Sequence, residues 1–192
     1  PLYSSAASDV YKRQGGGGLG GEFLQVLRLW GVAAVISHNP PVKNLHAPAR
    51  GRGLPSLPME AQLNSLIDAV RQAGADGRVL RLRGGGSKDF WGQSLTGEVL
   101  DTRAYAGIVS YEPSELVVTV RCGTPLAELE AALAEKGQSL AFEPPHFGQG
   151  SGHVATVGGM VAAGLSGPAR ATAGAVRDFV LGARFVNGLG QH

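Results

Sequence analysis

The sequence predicts a domain of mixed helices and strands over residues 59–192, and three observations support this prediction. Apolar residues recur at helical spacing from Met59 to Val70, just after a proline, Pro58, that a helix start tolerates. The run LVVTVR at 116–121 is rich in the β-branched residues that favour strands. A second helical stripe follows this strand and consists of Leu126, Leu129 and Leu133.

Short runs of β-prone residues fill much of the rest of the domain. An EPSE turn at 112–115 connects two of the predicted strands, because proline and serine favour turns. The last run, VRDFVLGARFV at 176–186, predicts a long strand, and Asn187–Gly188 predicts a hairpin after it. The shorter predicted strands are VLRL at 79–82, EVLD at 98–101, GIVSY at 107–111 and QSLAF at 138–142.

The helices have recognisable ends. Thr124 is predicted to cap the second helix, with Pro125 in its first turn, and Gly137 ends it. A third, short helix is predicted over 158–163, where small residues dominate. Because the sequence stops at His192, before the strand that the hairpin predicts, we expect a chain that is cut in the middle of a domain.

Residues 1–58 differ from the rest of the chain. They hold six basic and two acidic residues, whereas residues 59–192 hold eleven basic and thirteen acidic ones. Pro1–Gln14 resemble translated sequencing-adapter text, and the remainder runs through glycine-rich and proline-rich patches without sustained periodicity. We therefore expect residues 1–58 to be non-native readthrough or a disordered segment, with Met59 as the true start. The alternative is a genuine flexible extension with a weak membrane or partner contact at Leu24–Ile36.

The composition excludes several classes of site. Cys122 is the only cysteine, so the chain contains no internal disulfide and no cysteine-ligated zinc or iron–sulfur centre. The mildly acidic balance of residues 59–192 argues against a nucleic-acid surface. The longest apolar stretch, Phe23–Ile36, is too short to span a bilayer.

The familiar nucleotide and hydrolase motifs are absent. A Walker loop needs a lysine directly after glycine, but Lys88 follows a serine. A GxGxxG pattern begins at Gly148 but has His153 in its last position. The hydrolase pattern GxSxG has a near match at 164–168, where proline replaces the last glycine. His146 and His153 have no third ligand at useful spacing, so no metal site is predicted. The catalytic residues stay unknown at this stage.

Two glycine clusters remain as candidate binding elements. RGGGSK at 83–88 follows a predicted strand, and TVGGMVAAGLSG at 156–167 opens a small-residue helix. Backbone N–H groups in such loops can surround an anion, and a helix N-terminus adds a favourable dipole. Two such elements suit a diphosphate bound between two substructures. Glycines also permit tight strand–helix packing, and the residues alone do not decide between these two interpretations.

These runs, taken in order, resemble a known family of flavoproteins. RGGGSK, ELVVTVRCGTPLAELEAALAEKGQ, AFEPPHF, ATVGGMVAAGLSGPAR and AVRDFVLG are similar to the FAD-binding (PCMH-type) domain of the vanillyl-alcohol-oxidase-like and peptidoglycan-precursor-reductase flavoproteins. Within that family the likeness is closest to the FAD-binding subunits of bacterial glycolate oxidases. The resemblance implies an α+β fold of two lobes, the first at 59–122 and the second, incomplete, at 123–192, with FAD between them.

The resemblance also implies which residues hold FAD. Residues 83–88 match the pyrophosphate loop of the family, 156–159 a second contact segment, 164–170 the segment beside the flavin, and 178–180 the adenine side. The link at 151–154 is a few residues longer than in the family. Ser87 stands where some relatives carry a histidine that bonds FAD covalently, so FAD is expected to bind noncovalently. The implied cofactor-binding residues are Arg83, Gly84, Gly85, Gly86, Ser87, Lys88, Thr156, Val157, Gly158, Gly159, Gly164, Ser166, Gly167, Arg170, Asp178 and Val180.

The implied function is that of the FAD-binding subunit of an oxidoreductase complex. Such a subunit oxidises glycolate, a small 2-hydroxy acid, to glyoxylate and passes electrons through FAD to an iron–sulfur partner subunit. The implied location is the cytoplasm, with peripheral association at the inner face of the membrane through the complex. This chain alone is expected to be inactive, with the substrate-orienting residues lying beyond His192. Two alternatives stay open: a D-lactate-type 2-hydroxyacid dehydrogenase of the same fold, and a noncatalytic FAD-binding or scaffold subunit.

Overall fold

A computed structural model describes the chain at residues 22–24, 26–30, 58–148 and 151–192. The side chains described are those of residues 60–148 and 151–192. The helices are α1 (Pro58–Ala75), α2 (Leu126–Ala134), α3 (Val157–Ala163), α4 (Arg170–Ala173) and α5 (Val176–Phe179), with a 3₁₀ turn at Pro113–Glu115. The strands are β1 (Glu22–Leu24), β2 (Val26–Trp30), β3 (Leu80–Arg83), β4 (Glu98–Asp101), β5 (Ile108–Glu112), β6 (Val117–Arg121), β7 (Gln138–Leu140) and β8 (Val180–Arg184).

The strands form small sheets. The largest one has the order β5-β6-β2-β8, with β5 antiparallel to β6 and with β2 parallel to both of its neighbours. β3 pairs with β4 in parallel, with Leu80 opposite Glu98, and β1 pairs with β7 in parallel. The N–H of Thr102 donates to the carbonyl of Arg83 at 3.0 Å and continues the β3–β4 pairing by one bond. The glycine run therefore begins where this pairing ends.

Strands β1 and β2 are the main difference from the sequence-based expectation. The sequence predicts no ordered element before Pro58, yet β2 lies between β6 and β8 in the largest sheet. Because strand stability comes from pairing with neighbours that are distant in sequence, a run without sustained periodicity gives little local signal of it. The rest of residues 1–58, including the GGGGLGG run at 15–21, lies outside the described residues, and its assignment as readthrough stays a prediction.

The predicted long strand at 176–186 is interrupted at its start. The structure has a helical turn, α5, before β8. The Asp178 carboxylate accepts the N–H of Ala175 at 2.8 Å, and the Asp178 N–H donates to the carbonyl of Ala175 at 2.8 Å. This pair of local hydrogen bonds closes a turn and overrides the strand propensity of the apolar residues around it. After β8, a turn at 187–191 takes the place of the predicted hairpin.

Thr124 does not cap α2, and the prediction of its role was wrong. Its buried hydroxyl accepts the N–H of Gly107 at 2.8 Å and donates to the carbonyl of Arg121 at 2.7 Å. Pro125 occupies the cap position, with no side-chain hydrogen bond. The hydroxyl is recruited by the loop that precedes β5, because that loop brings an unpaired N–H group close to it.

Two clusters of buried apolar side chains form the core. The first packs α1 against the β3–β4 sheet, and the second packs β6 against α2, α3 and α5. The division into lobes at residue 122 stays a prediction. None of the helices in the described ranges is long and apolar enough to cross a bilayer. The first cluster contains Leu66, Ile67, Val70, Leu100, Tyr105, Cys122 and Val186. The second contains Val118, Val120, Leu126, Leu129, Leu133, Phe142, Ala155, Val157, Met160, Val176 and Phe179.

We predict that Thr124→Val lowers the free energy of unfolding by about 1–3 kcal/mol, because it removes the acceptor of the Gly107 N–H in a buried place. The matched control is Thr119→Val on β6, since the Thr119 hydroxyl bonds to no other described residue; its expected change is within about 0.5 kcal/mol. Urea denaturation measures both values. Equal midpoints for the two variants would contradict the structural role assigned to the Thr124 hydroxyl.

Candidate cofactor site

The two predicted glycine clusters lie side by side in the structure. Gly84–Gly86 follow the end of β3, and Gly86 forms a parallel bridge with Val154, shortly before α3. The N–H of Val154 donates to the carbonyl of Gly85 at 3.0 Å. The rings of Phe90 and Phe147 add an edge-to-face contact, with ring centroids 5.4 Å apart. The loop after β3 and the segment before α3 therefore form one contact surface.

Glycine is required at several points of this surface because backbone approaches backbone. A Cβ on Gly85 would overlap the carbonyl oxygen of Val154, and one on Gly84 would lie 2.7 Å from Thr156 Oγ1. Gly86 has a φ of 73°, which other residues rarely adopt. Within the described part of the chain, the N–H groups of these three glycines donate to no other residue. The loop thus packs tightly and still presents three amides that can bind an anion.

Three backbone hydrogen bonds fix the start of α3 beside this loop. They join residues 122–126 to residues 155–158, and we call these paired segments the backbone clasp. Gly158 has no room for a side chain there, because a Cβ would lie 2.7 Å from the Cβ of Cys122. Thr156 caps α3 by accepting a backbone N–H of the first turn at 3.2 Å. The clasp bonds run from Leu126 N–H to Ala155 O (2.8 Å), from Val157 N–H to Thr124 O (2.9 Å) and from Gly158 N–H to Cys122 O (2.8 Å).

Arg83 and Asp89 form an ion pair within the loop. Nε and Nη2 of Arg83 approach Oδ2 of Asp89 at 2.7 and 2.6 Å. The hydrogen bond from Arg83 holds the pKa of the Asp89 carboxyl below its usual value. Arg83 is therefore neutralised within the chain, and its main effect in this structure is to hold the loop in place.

Lys88 is a second cation in this loop. Burial lowers the pKa of its ammonium group. No carboxylate among the described residues lies within ion-pair distance of it. A partly desolvated cation is unfavourable, and a bound anion offsets that cost. The three glycine amides and Lys88, beside the buried Ser87, therefore have the chemistry that a diphosphate group requires.

An open pocket of 320 Å³ lies beside the other end of α3. The seven residues of this helix separate its two ends by about 10 Å. The walls of the pocket are mostly apolar and include two guanidinium groups, which suits a ring or sugar portion of a charged ligand. The pocket is lined by Val161, Gly164, Arg170, Ala175, Val176, Arg177 and Val180.

Three predicted site residues support the pocket without lining it. The buried hydroxyl of Ser166 accepts the N–H of Val176 at 2.9 Å. The Asp178 carboxylate is held by the hydrogen bond that closes the α5 turn. Gly167 has a φ of 65°, and a Cβ on it would overlap a backbone carbonyl oxygen. These residues fix the loop beneath the pocket.

The predicted site residues thus form two groups. Residues 83–88 and 156–159 meet at the start of α3, whereas Gly164, Arg170 and Val180 line the pocket at its end. The contact of each residue with FAD stays a prediction. Two further residues near the loop, Asp89 and His153, were not among the predicted ones.

His153 and Asp89 were missed for different reasons. Asp89 follows the RGGGSK run directly, and only the folded loop shows that Arg83 turns back to it. His153 lies in the 151–154 link, which the resemblance predicts to be longer than in the family, and from the sequence this histidine was weighed only as a metal ligand. His146, the other loop histidine, contacts Glu130 on α2 at 2.9 Å. Among the described residues, no group of three histidine, cysteine or acidic side chains could hold a metal ion.

We predict that Gly158→Ala and Gly159→Ala differ sharply although the two residues are neighbours in one helix. Gly158→Ala should lower the free energy of unfolding by about 1–3 kcal/mol, because the new Cβ collides with Cys122 and opens the clasp. Gly159→Ala should change it by less than about 1 kcal/mol, because its Cβ meets only Thr156 Oγ1, at 3.1 Å, and alanine favours the helix. Urea denaturation of both variants checks this order, and the reverse order would refute it.

Comparison with known proteins gives one family match and two relatives. The chain matches the family model described as FAD binding domain over residues 61–192. It is 52% identical over 128 residues to the glycolate oxidase subunit GlcE of Escherichia coli strain K12, with 67% of this chain and 35% of that protein covered. It is 36% identical over 84 residues to the uncharacterised FAD-linked oxidoreductase YgcU of the same strain, with 44% of this chain and 16% of that protein covered. No solved structure matches significantly.

These findings confirm the predicted family, the α+β fold class and FAD as the cofactor. The chain spans about a third of the length of the glycolate oxidase subunit that it matches. The matched residues include the glycine loop, the backbone clasp, α3 and the pocket. Because the family model covers well over half of the sequence, this chain belongs to the FAD binding domain family of flavoproteins.

Proposed function

We propose that this chain is the FAD-binding part of an oxidoreductase subunit that oxidises glycolate to glyoxylate and passes the electrons to an iron–sulfur partner subunit. The observation that carries the proposal is the glycine loop at 84–86 docked against the start of α3, with three amides that donate to no described residue and with Lys88, which has no carboxylate partner among the described residues. Membership in the FAD binding domain family supports FAD as the ligand of this anion site.

The residues present fit the cofactor. The amides of Gly84, Gly85 and Gly86 and the ammonium of Lys88 would hold the diphosphate, since they combine hydrogen-bond donors with a partly desolvated positive charge. The pocket that Arg170 and its apolar neighbours line would receive another portion of the same molecule. When bound, FAD supplies the two-electron redox chemistry. Noncovalent binding stays part of the proposal, because Ser87 stands where some relatives carry the histidine that bonds FAD covalently.

The proposed substrate and partner are supported by likeness and not by a residue of the described structure. The relative with 52% identity is a glycolate oxidase subunit by name, and a subunit implies a complex. The single cysteine of this chain cannot supply an iron–sulfur cluster, which is consistent with a cluster on the proposed partner. We place the complex on the cytoplasmic face of the membrane by the same likeness.

We predict that the full chain binds FAD and that Gly85→Ala weakens this binding at least about tenfold. The added Cβ overlaps the Val154 carbonyl and displaces the amides from the anion, and a tenfold loss corresponds to about 1.4 kcal/mol. Gly74→Ala is the control, because Gly74 lies in α1 with open space around it. Quenching of FAD fluorescence on titration measures the Kd. A wild-type chain that stays colourless and ignores FAD would overturn the proposal.

The substrate is tested on the complex isolated through a tag on this protein. The complex is mixed anaerobically with glycolate or with D-lactate, and the loss of the visible flavin absorbance is followed. We expect faster bleaching by glycolate. Faster bleaching by D-lactate would reassign the substrate to the D-lactate-type enzyme of the same fold. A complex that holds FAD and bleaches with neither acid would favour the scaffold subunit.

A further inference from the structure

His153 reaches the glycine loop from the opposite segment. It directly precedes Val154, whose backbone is paired to Gly85 and Gly86. Its Nδ1 atom lies 2.8 Å from the point that a Cβ on Gly86 would occupy, and the Arg83 guanidinium converges on the same point. The side chains of Arg83 and His153, which come from separate segments, therefore meet at Gly86. Neither could keep this position if residue 86 had a side chain.

The charges around this point are unevenly compensated. Arg83 is paired with Asp89, and His153 and Arg81 add to the positive field that acts on the Asp89 carboxylate. Lys88, in the same loop, has no carboxylate partner among the described residues. The Asp89 carboxylate thus lies in the field of two arginines and an imidazole, and Arg83 also acts on the Asp101 carboxylate, at a loop whose glycine amides donate to no other described residue.

We propose that His153 is a direct contact of the cofactor diphosphate, so that the anion is held from the glycine-loop side and from the α3 side at once. The inference rests on the FAD site proposed above and adds a residue to it. The imidazole donates a hydrogen bond to a phosphate oxygen and, when protonated, adds a charge to it. Gly86 is the residue that makes this approach possible, since a side chain there would stand between His153 and the loop.

The matched pair for the test is His153→Gln and His146→Gln in the full chain. His146 belongs to the same connecting loop but contacts Glu130 on α2. We expect His153→Gln to raise the Kd for FAD about tenfold, because glutamine keeps a hydrogen-bonding amide but cannot carry a positive charge. His146→Gln should stay within about twofold of the wild type. Thermal unfolding without FAD verifies that each variant is folded.

Two further measurements separate a phosphate contact from a merely structural role. His153→Lys keeps a hydrogen-bond donor and adds a positive charge at this position, so its Kd for FAD should stay close to that of the wild type. ADP carries the diphosphate without the flavin, so its ability to displace FAD should fall in His153→Gln in parallel with FAD affinity.

The outcomes distinguish this inference from the proposed function. If the wild type binds FAD but His153→Gln binds it equally well, the inference is wrong and the FAD site stands. Equal loss of FAD affinity in His153→Gln and His153→Lys together with a destabilised apoprotein would assign His153 a structural role and overturn the phosphate contact. Loss of FAD affinity without loss of ADP competition would overturn it as well, because the contact would then be to the flavin portion. A wild type that binds no FAD would refute the proposed function itself.

Discussion

The backbone clasp between residues 122–126 and 155–158 is the interaction on which the rest of the structure depends. Its three hydrogen bonds join the end of β6 and the start of α2 to the start of α3. The segments approach so closely that Gly158 has no room for a Cβ, and the clasp also contains Thr124, whose hydroxyl extends the network to Gly107. The two core clusters meet there, because Cys122 belongs to one and Val157 to the other. A displacement of the clasp would therefore move the site and the core together.

The site follows from this constraint. With the start of α3 fixed, Thr156 and Val154 become the surface against which the glycine loop docks. The packing role and the anion-binding role of the glycines, which the residues alone left open, are then two consequences of one geometry. Missing side chains let the backbones approach, and the amides of the three glycines donate to no other described residue. The charged side chains of the loop likewise have a packing role and an anion-binding role. The Arg83–Asp89 ion pair holds the loop in place, and Lys88 is the cation that a bound anion would stabilise.

Much of the fold could be predicted from local patterns. The helical spacing from residue 59 to residue 70 and the β-branched run at 117–121 both form the expected elements, because burial of one face or packing in a sheet is what such patterns satisfy. The prediction was wrong where a side chain makes a hydrogen bond that the local sequence pattern does not indicate. The Asp178 carboxylate closes the α5 turn at the start of a predicted strand, and the Thr124 hydroxyl bonds to Gly107 and does not cap α2. Strand β2 was missed for a related reason, since its partners β6 and β8 are distant in sequence.

The sequence by itself determined the family, the cofactor and the two glycine clusters, because these depend on residue types in a fixed order along the chain. Tertiary structure decided what those residues do to one another. Only the folded chain brings Gly85 against Val154, gives Arg83 its partner in Asp89, gives Lys88 no carboxylate partner among the described residues, and carries His153 to Gly86. The physical reason is that counter-charges and van der Waals space are properties of neighbours in space, and the residues that pack on the glycine loop come from a segment some seventy residues away in the sequence.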